Sequence, residues 1–308
     1  MSFLYQALSD YLAVRRKLGY KLEGDGKLLH QFLTYLEGLG EKHVSTQSAL
    51  AWAQLPGATH RSWLSNRLTI VRGFAIYLKS IDPKTEIPPS DLLPWKRCRA
   101  TPYLYSKEEV LALISAAKTL KFPHLAATFQ TLIGLLTVTG MRISEAIHLD
   151  REDFDSNQKL LTVREGKFGK SRILPLHSST ARALRNYLSR RDQPRLVANT
   201  SALLISSVGK RLSPSSVQET FRKLRRKAGL KPRSASCRPR IHDFRHSFAV
   251  NTLLESYRSE EDPGTKLPLL STYLGHVDPK NTYWYLSAAP ELMKLAGNRL
   301  ERHLGGAL

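Results

Sequence analysis

The stretch Thr139-Gly140-Met141-Arg142-Ile143-Ser144-Glu145-Ala146 follows the most apolar part of the chain, Leu125 to Val138. That apolar part contains several polar residues and is too short to span a bilayer, so it predicts a buried helix. Arg142 and Glu145 are three residues apart, and this spacing places both side chains on one face of a helix. The stretch therefore predicts a charged pair held next to a buried helical core.

A second arginine motif, His242-Asp243-Phe244-Arg245-His246, lies further along the chain, and a Gly275-His276 pair precedes Tyr285. The planar guanidinium group of arginine binds two phosphate oxygens at once and keeps its charge. A tyrosine hydroxyl can attack phosphorus and form a covalent ester. The two motifs predict a phosphate held by two arginines beside an attacking phenol, which is chemistry that needs no metal and no cofactor.

The chain has 308 residues and a formal net charge of +21, which favours a polyanionic partner. Nucleic acid is the leading candidate for that partner. A basic run from Arg222 to Arg240 contains no acidic residue and includes apolar positions at helical spacing. A solvated charged helix face is the usual interpretation of such a run. Its position just before the second arginine motif favours contact with the DNA backbone, by Arg222, Lys223, Arg225, Arg226 and Lys227.

Two cysteines, Cys98 and Cys237, are too few for a disulfide framework and lack the spacing of a zinc site. His242 and His246 lie one helical turn apart, yet no third metal ligand is evident, so no metal site is predicted. The N-terminus does not resemble a signal peptide. These features predict a cytoplasmic protein that does not contact a membrane.

Four amphipathic segments at helical spacing precede a proline-rich stretch between Ile81 and Tyr103. We place a domain boundary in that stretch, giving domains of residues 1–95 and 96–308. In the second domain, alternating patterns predict strands at Leu160 to Val163 and at Arg172 to Leu176, joined by a glycine-rich turn from Gly166 to Lys170. Helical periodicity returns at residues 181–188, 213–228, 242–254 and 288–304.

The ordered motifs resemble the catalytic domain of the tyrosine recombinase family, also called the phage integrase or Xer-like family. The family pattern consists of G-x-R-x-x-E, a hairpin lysine, H-x-x-R, a Gly-His pair and a tyrosine shortly after. The resemblance implies a mainly α fold with a small β-hairpin. It implies an N-terminal helical bundle of the SAM-like core-binding type, residues 1–95, and an integrase-like α+β catalytic domain, residues 96–308.

The same resemblance implies roles for the arginines and the lysine. Arg142 and Arg245 would clamp the oxygens of the scissile phosphate, and Glu145 would orient neighbouring groups, although an ordinary helix ion pair is an alternative for Glu145. Lys167, directly after Gly166, would protonate the departing 5′ oxygen. Lys170 is the alternative for this role.

The histidines and tyrosines complete the implied site. His242 would contact the phosphate or transfer a proton, and His276 would donate a hydrogen bond to the phosphate or support the nucleophile. His246 is interpreted as a packed structural residue. Tyr285 fits the family spacing from the Gly-His pair and would be the nucleophile. Tyr283 is the alternative nucleophile.

The predicted function is that of a site-specific DNA recombinase or integrase that cleaves and rejoins double-stranded DNA through a 3′-phosphotyrosyl intermediate. It would serve a mobile element or chromosome or plasmid resolution, acting as a dimer on each site and a tetramer in synapsis. A type IB topoisomerase-like enzyme and a non-catalytic basic DNA-binding regulator are the alternatives.

One segment departs from the family pattern, and the C-terminal helix carries a further feature. The distance from Arg245 to His276 is long for a compact member, and the polar segment Glu255 to Leu267 is predicted to lengthen a surface loop. An apolar stripe in the C-terminal helix would either dock onto a neighbouring protomer or pack on its own domain.

Overall fold

Apolar residues at helical spacing form four helices in the N-terminal part of the chain. A computed structural model describes residues 3–55, 57, 61–93, 100–164, 171–193, 200–259, 263–276, 278, 280–287 and 290–305. The chain divides into two units, Met1–Arg99 and Ala100–Leu308. The N-terminal helices are α1 (Phe3–Lys17), α2 (Glu23–Gly38), α3 (Thr46–Gln54) and α4 (Arg61–Lys79).

The N-terminal unit buries the apolar faces of its four helices in one core. Phe32 and Trp52 pack with their ring centroids 5.2 Å apart. The Arg67 guanidinium lies 3.7 Å from the centroid of the Trp52 ring, and its Nη2 donates to the Trp52 carbonyl at 2.8 Å. A buried arginine is thus held inside a helical core by a carbonyl and an aromatic ring, and the predicted N-terminal helical region is confirmed.

The proline-containing segment after α4 is tied back onto the N-terminal unit. Arg72 Nε donates to the Pro88 carbonyl at 2.6 Å. His43 Nδ1 lies 2.8 Å from an oxygen of Asp82, which also accepts from the Thr85 hydroxyl at 2.7 Å. These hydrogen bonds fix a segment whose prolines contribute no backbone N–H donors of their own.

The second unit contains nine α-helices, one short 3-10 helix (Arg151–Asp153) and three strands within the described residues. A capping box of Ser106 and Glu109 starts α5, and the predicted buried helix is α6. The helices are α5 (Lys107–Ala117), α6 (Pro123–Thr139), α7 (Ile143–His148), α8 (Ser178–Arg191), α9 (Pro214–Lys227), α10 (Asp243–Arg258), α11 (Pro263–Leu274), α12 (Lys280–Ser287) and α13 (Pro290–Gly305).

The sheet is antiparallel with strand order β1-β2-β3: β1 (Phe154–Asp155), β2 (Leu160–Val163) and β3 (Arg172–Pro175). Leu161 faces Leu174 across β2 and β3, and both side chains are fully buried. The predicted pair of strands is confirmed, whereas the sequence does not predict β1 because two residues carry no periodicity. The turn that contains Lys167 and Lys170 lies outside the described residues.

The prediction of a surface loop from Glu255 to Leu267 is wrong for most of that segment. Helix α10 continues to Arg258, and α11 begins at Pro263, where the missing backbone donor of proline is harmless at a helix start. Leu267 and Leu270 are buried against α10, so packing stabilises helix where polar composition suggests loop. Only residues 260–262 between the two helices lie outside the described residues.

The C-terminal helix α13 packs on its own unit through its first turns. Leu292 is buried and Leu295 is partly buried in the cluster that also contains Tyr285. Arg258 of α10 pairs with Glu291 at 2.5 Å. Within the part of the chain that the structure describes, no helix combines the length and apolar character needed to cross a membrane.

Candidate active site

Helix α6 ends at Gly140, which has a φ of +59°. A Cβ atom at this position would lie 2.4 Å from Cδ1 of Phe248, so only glycine fits both the backbone conformation and the space. The turn places Arg142 at the N-cap of α7 with extended backbone. The sequence spacing predicts that Arg142 and Glu145 lie on one helix. In the structure, Arg142 instead lies at the N-cap, just before that helix begins.

Arg142 and Glu145 form a reciprocal pair at the start of α7. Arg142 Nη1 donates to Glu145 Oε1 at 2.7 Å, and the Arg142 backbone N–H donates to Glu145 Oε2 at 2.8 Å. Arg142 Nη2 makes only a 3.5 Å contact with the carbonyl of Gly275. Glu145 thus fixes one edge of the guanidinium group and leaves the Nη2 edge weakly held.

Arg172, at the start of β3, is a second arginine on the same carboxylate, and the sequence motifs do not include it. Its Nη1 and Nη2 donate to Glu145 Oε1 and Oε2 at 3.2 and 2.8 Å. Burial opposes ionisation of Glu145, but Arg172 and then Arg142 outweigh it and lower the pKa of Glu145 to about 2. The carboxylate is therefore ionised at every pH at which the protein would act.

Arg245 lies on the first turn of α10 and is only 2% exposed. Its Nη1 donates to the Gly140 carbonyl at 3.0 Å, and its Nη2 donates to the Leu274 carbonyl at 2.7 Å. Burial, together with the positive charge of Arg142, lowers the pKa of Arg245 to about 10. Arg142 and Arg245 repel each other in a site that is shielded from water. A phosphate anion bound between them would offset this repulsion, so the pair is suited to binding phosphate.

Two histidines flank Arg245 on the start of α10. The Asp243 carboxylate, fully buried, accepts from the backbone and side chain of Arg240 and so fixes this helix start. The rings of His242 and His246 meet edge to face with centroids 5.1 Å apart. Burial and then the charge of Arg245 lower the pKa of His242, which is consequently neutral near pH 7.

His276 enters the site from the loop between α11 and α12. Its Nδ1 lies 2.7 Å from the Thr282 hydroxyl, which fixes the orientation of the ring. Burial, followed by the charges of Arg245 and Arg142, lowers the pKa of His276 to about 4. Thr282 is a contact that the sequence does not indicate, because a threonine on a short helix has many ordinary roles.

The two candidate tyrosines differ sharply in their surroundings although both lie on α12. Tyr285 is 3% exposed, and its phenol lies close enough to Arg245 to counteract part of the lowering of the pKa of that guanidinium. Its ring lies nearly parallel to that of His276, with centroids 6.0 Å apart, and edge to face with that of His246 at 5.3 Å. Tyr283 is 56% exposed. The structure therefore brings Tyr285, and not Tyr283, to the arginines and histidines.

Because histidines are buried in this site, we expect the stability of the folded protein to depend on pH. Burial, with neighbouring positive groups, lowers the pKa of His246 to about 3, while the unfolded chain titrates near 6.5. The unfolded state then takes up protons first, so the contribution of neutral His246 to stability is fully present above about pH 6.5 and is lost progressively as the pH falls toward 3. We expect a calorimetric Tm that drops less between pH 7.5 and 5 in His246→Phe than in the wild type. His30→Phe, at an exposed position of α2, is the control and should retain the full drop.

The basic residues of α9 lie opposite an apolar face formed by Val217, Phe221 and Leu224. Glu219 pairs with two of these basic residues, at 2.9 Å with Arg222 and 3.5 Å with Lys223. Arg225 is half-buried and donates to the Pro239 carbonyl at 3.0 Å, while the other four candidates for DNA contact are exposed: Arg222, Lys223, Arg226 and Lys227. The helix thus presents a cationic surface on one side and a core contact on the other.

The described residues contain no cluster of three histidine, cysteine, aspartate or glutamate side chains placed to hold a metal ion. The positive charge at the site comes from the guanidinium groups of Arg142, Arg172 and Arg245. A phosphodiester could be bound there by side chains alone.

Comparisons with known proteins agree with this arrangement. Residues 104–291 match the phage integrase family. The chain is 46% identical to the putative integrase/recombinase y4rB of Sinorhizobium fredii, over 98% of each chain. It is 30% identical to the tyrosine recombinase XerC of Alcanivorax borkumensis, over 80% of this chain and 77% of that protein.

Solved structures show the same fold at low sequence identity. An integrase of transposon Tn1549 in complex with a circular intermediate DNA has a TM-score of 0.67 at 16% identity, covering 98% of this chain and 100% of that chain. A lambda integrase dimer bound to a COC′ core site covers 92% of this chain and 76% of that chain, with a TM-score of 0.58 at 16% identity. A lambda integrase tetramer bound to a Holliday junction covers the same shares, with a TM-score of 0.59 at 15% identity. Because the family match and the two relatives agree with this shared fold, the chain belongs to the phage integrase family and is a site-specific tyrosine recombinase, an enzyme that breaks and rejoins DNA strands.

Proposed function

We propose that Tyr285 is the nucleophile of this recombinase and that Arg142 and Arg245 hold the scissile phosphate of double-stranded DNA. The observation that carries the proposal is the burial of Tyr285, whose ring packs against those of His246 and His276 on the side of the site that holds Arg245. A buried phenol beside an arginine is positioned for a reaction in which negative charge develops on phosphate and phenol oxygens together. An exposed phenol such as that of Tyr283 has no comparable stabilisation.

In the cleavage step, the Tyr285 oxygen forms a bond to phosphorus while the bond from phosphorus to the 5′ oxygen breaks. The phenol proton passes to a neutral imidazole, for which His276 and His242 are the candidates. A bound phosphate anion raises the pKa of these histidines and so favours the transfer. The family resemblance assigns protonation of the departing 5′ oxygen to Lys167. The product is a 3′-phosphotyrosyl ester, which a 5′ hydroxyl of a partner duplex attacks in the reverse step.

The proposal also covers how the protein binds the DNA backbone and how protomers assemble on DNA. The exposed basic residues of α9 supply phosphate contacts that fix the orientation of the duplex. Each recombination site has two cleavable strands, and exchange joins two sites, so four active sites act together. We infer a dimer on each site and a tetramer in synapsis, as in the lambda integrase complexes.

A test needs a duplex that the protein binds, and such a duplex can be selected from a random-sequence library with the purified full chain. Selected duplexes are then nicked at successive positions, so that cleavage near the nick releases a short fragment and traps the enzyme on DNA. We expect a covalent protein–DNA adduct that survives denaturing electrophoresis. The adduct should form equally well in excess EDTA, because arginines and not a metal ion neutralise the phosphate.

Three outcomes separate the candidate functions. Adduct formation followed by joining to a second duplex supports a recombinase. Adduct formation with religation of the original strand alone supports a topoisomerase-like enzyme, and tight binding without adduct on any nicked duplex supports a DNA-binding regulator. A requirement for added magnesium contradicts the proposed chemistry.

A further inference from the structure

Arg172 occupies a position that none of the proposed catalytic roles includes. It is the first residue of β3, its side chain is 13% exposed, and it forms two hydrogen bonds with the Glu145 carboxylate. That carboxylate is 3% exposed and also accepts from the side chain and backbone of Arg142. One buried anion thus lies between two guanidinium groups, only one of which is proposed to bind DNA.

The charges of the three side chains give Arg172 a specific consequence. Arg142 and Glu145 alone would form a neutral pair, and a neutral pair has little attraction for a phosphate anion. With Arg172 added, the three groups carry one net positive charge. Arg172 therefore satisfies the carboxylate, so that the charge of Arg142 remains available at its weakly held Nη2 edge.

Arg172 also contacts the loop that carries His276. A Cβ atom at Gly275 would lie 3.2 Å from Arg172 Nη1 and 3.6 Å from its Cζ, so the guanidinium group lies directly against the backbone of Gly275. Gly275 has a φ of +67°, which a side chain would strain. Arg172 follows Lys167 by five residues in the sequence. It therefore joins α7, the His276 loop and the strand that continues from the lysine turn.

We propose that Arg172 is a positioning residue for DNA cleavage, which acts through Glu145 to keep Arg142 oriented and charged toward the phosphate and which anchors β3 beside the His276 loop. The inference rests on the proposed function, because it assumes that Arg142 binds the scissile phosphate. The competing role is direct donation to the phosphate by Arg172 itself. The Nε atom of Arg172 is buried and makes no hydrogen bond to the residues that the structure describes. Because this donor is unused, donation to the phosphate needs a test of its own.

The test measures single-turnover adduct formation on the nicked selected duplex at saturating protein, alongside the Kd for the same duplex without a nick. Arg172→Ala should lower the cleavage rate by about 10- to 100-fold, the usual effect of removing a group that orients a functional residue. The Kd should stay within about threefold, because phosphate contacts elsewhere supply most of the affinity. Arg172→Lys keeps the charge with fewer donors, so it should fold normally and cleave at an intermediate rate.

A double variant separates the two roles of Arg172. If Arg172 acts through Glu145, then in Arg172→Ala the negative charge of Glu145 neutralises Arg142. Adding Glu145→Gln removes that negative charge. The variant with both Arg172→Ala and Glu145→Gln should then cleave faster than Arg172→Ala alone. If Arg172 donates directly to the phosphate, or serves stability alone, the second substitution brings no recovery and lowers the rate or the Tm further.

The matched control is Arg164→Ala on the same hairpin. Arg164 forms ion pairs with Asp153 at 2.5 Å and with Glu152 at 3.3 Å, away from Glu145. Its removal should leave the cleavage rate near that of the wild type. Wild-type cleavage in Arg172→Ala, or no recovery in the double variant, overturns the inference while the recombinase assignment stands. Absence of any adduct with the wild type overturns the proposed function instead.

Discussion

Replacing Tyr285 with phenylalanine is expected to abolish the covalent protein–DNA adduct and to leave the Kd for the selected duplex within about threefold of the wild-type value. The substitution removes one oxygen atom and keeps the ring that packs against His246 and His276. The fold and the phosphate contacts therefore remain, and only the attacking atom is lost. Denaturing electrophoresis of the nicked duplex measures the adduct, and titration of the intact duplex measures the affinity.

Tyr283→Phe is the matched control for this experiment, because Tyr283 lies on the same helix, two residues away, and is exposed. We expect it to form the adduct at the wild-type rate. Digestion of the wild-type adduct and mass spectrometry of the DNA-linked peptide should identify Tyr285. An adduct that persists in Tyr285→Phe and disappears in Tyr283→Phe transfers the nucleophile role to Tyr283.

The sequence motifs indicate the chemistry because the reaction restricts residue type. Phosphate binding favours arginines such as Arg142 and Arg245, and attack on phosphorus requires a nucleophile such as the hydroxyl of Tyr285, so residue type and order alone point to the reaction. The helical pattern similarly predicts α6 and the N-terminal helices, because an apolar face must be buried. Each of these signals lies within a short stretch of the sequence.

The contacts that the sequence does not indicate arise from proximity in the folded chain. Arg172 reaches Glu145 only because β3 lies beside α7, and no local pattern marks an arginine at a strand end for this purpose. Thr282 reaches His276 across a turn between two helices. The segment after Glu255 has the polar composition of a loop, yet burial of Leu267 and Leu270 stabilises helix there. Tertiary packing decides each of these cases.

Arg245→Lys is expected to lower the cleavage rate by about 100-fold or more, the usual cost of removing a donor that stabilises charge in a transition state. Arg245 donates at once to the carbonyls of Gly140 and Leu274 and lies near Tyr285. A lysine ammonium is one point charge on a flexible stem and cannot hold this fork of contacts while it binds a phosphate. Net charge is unchanged, so the Kd for the duplex should change little.

The same substitution should also lower stability, and this effect has a different cause. The two carbonyls that Arg245 satisfies, those of Gly140 and Leu274, lie at the ends of α6 and α11 next to the site, and leaving a buried acceptor without a donor costs about 1–3 kcal/mol each. Urea unfolding of the full chain measures that loss, and single-turnover cleavage at saturating protein and low temperature measures the rate on folded enzyme.

Arg142→Lys is the informative comparison, because Arg142 is less buried and donates to Glu145 rather than to two carbonyls. It should lose cleavage with a smaller loss of stability. If Arg245→Lys lowers stability yet cleaves at the wild-type rate once folded, then Arg245 is a structural residue, and Arg142 together with another cation must hold the phosphate.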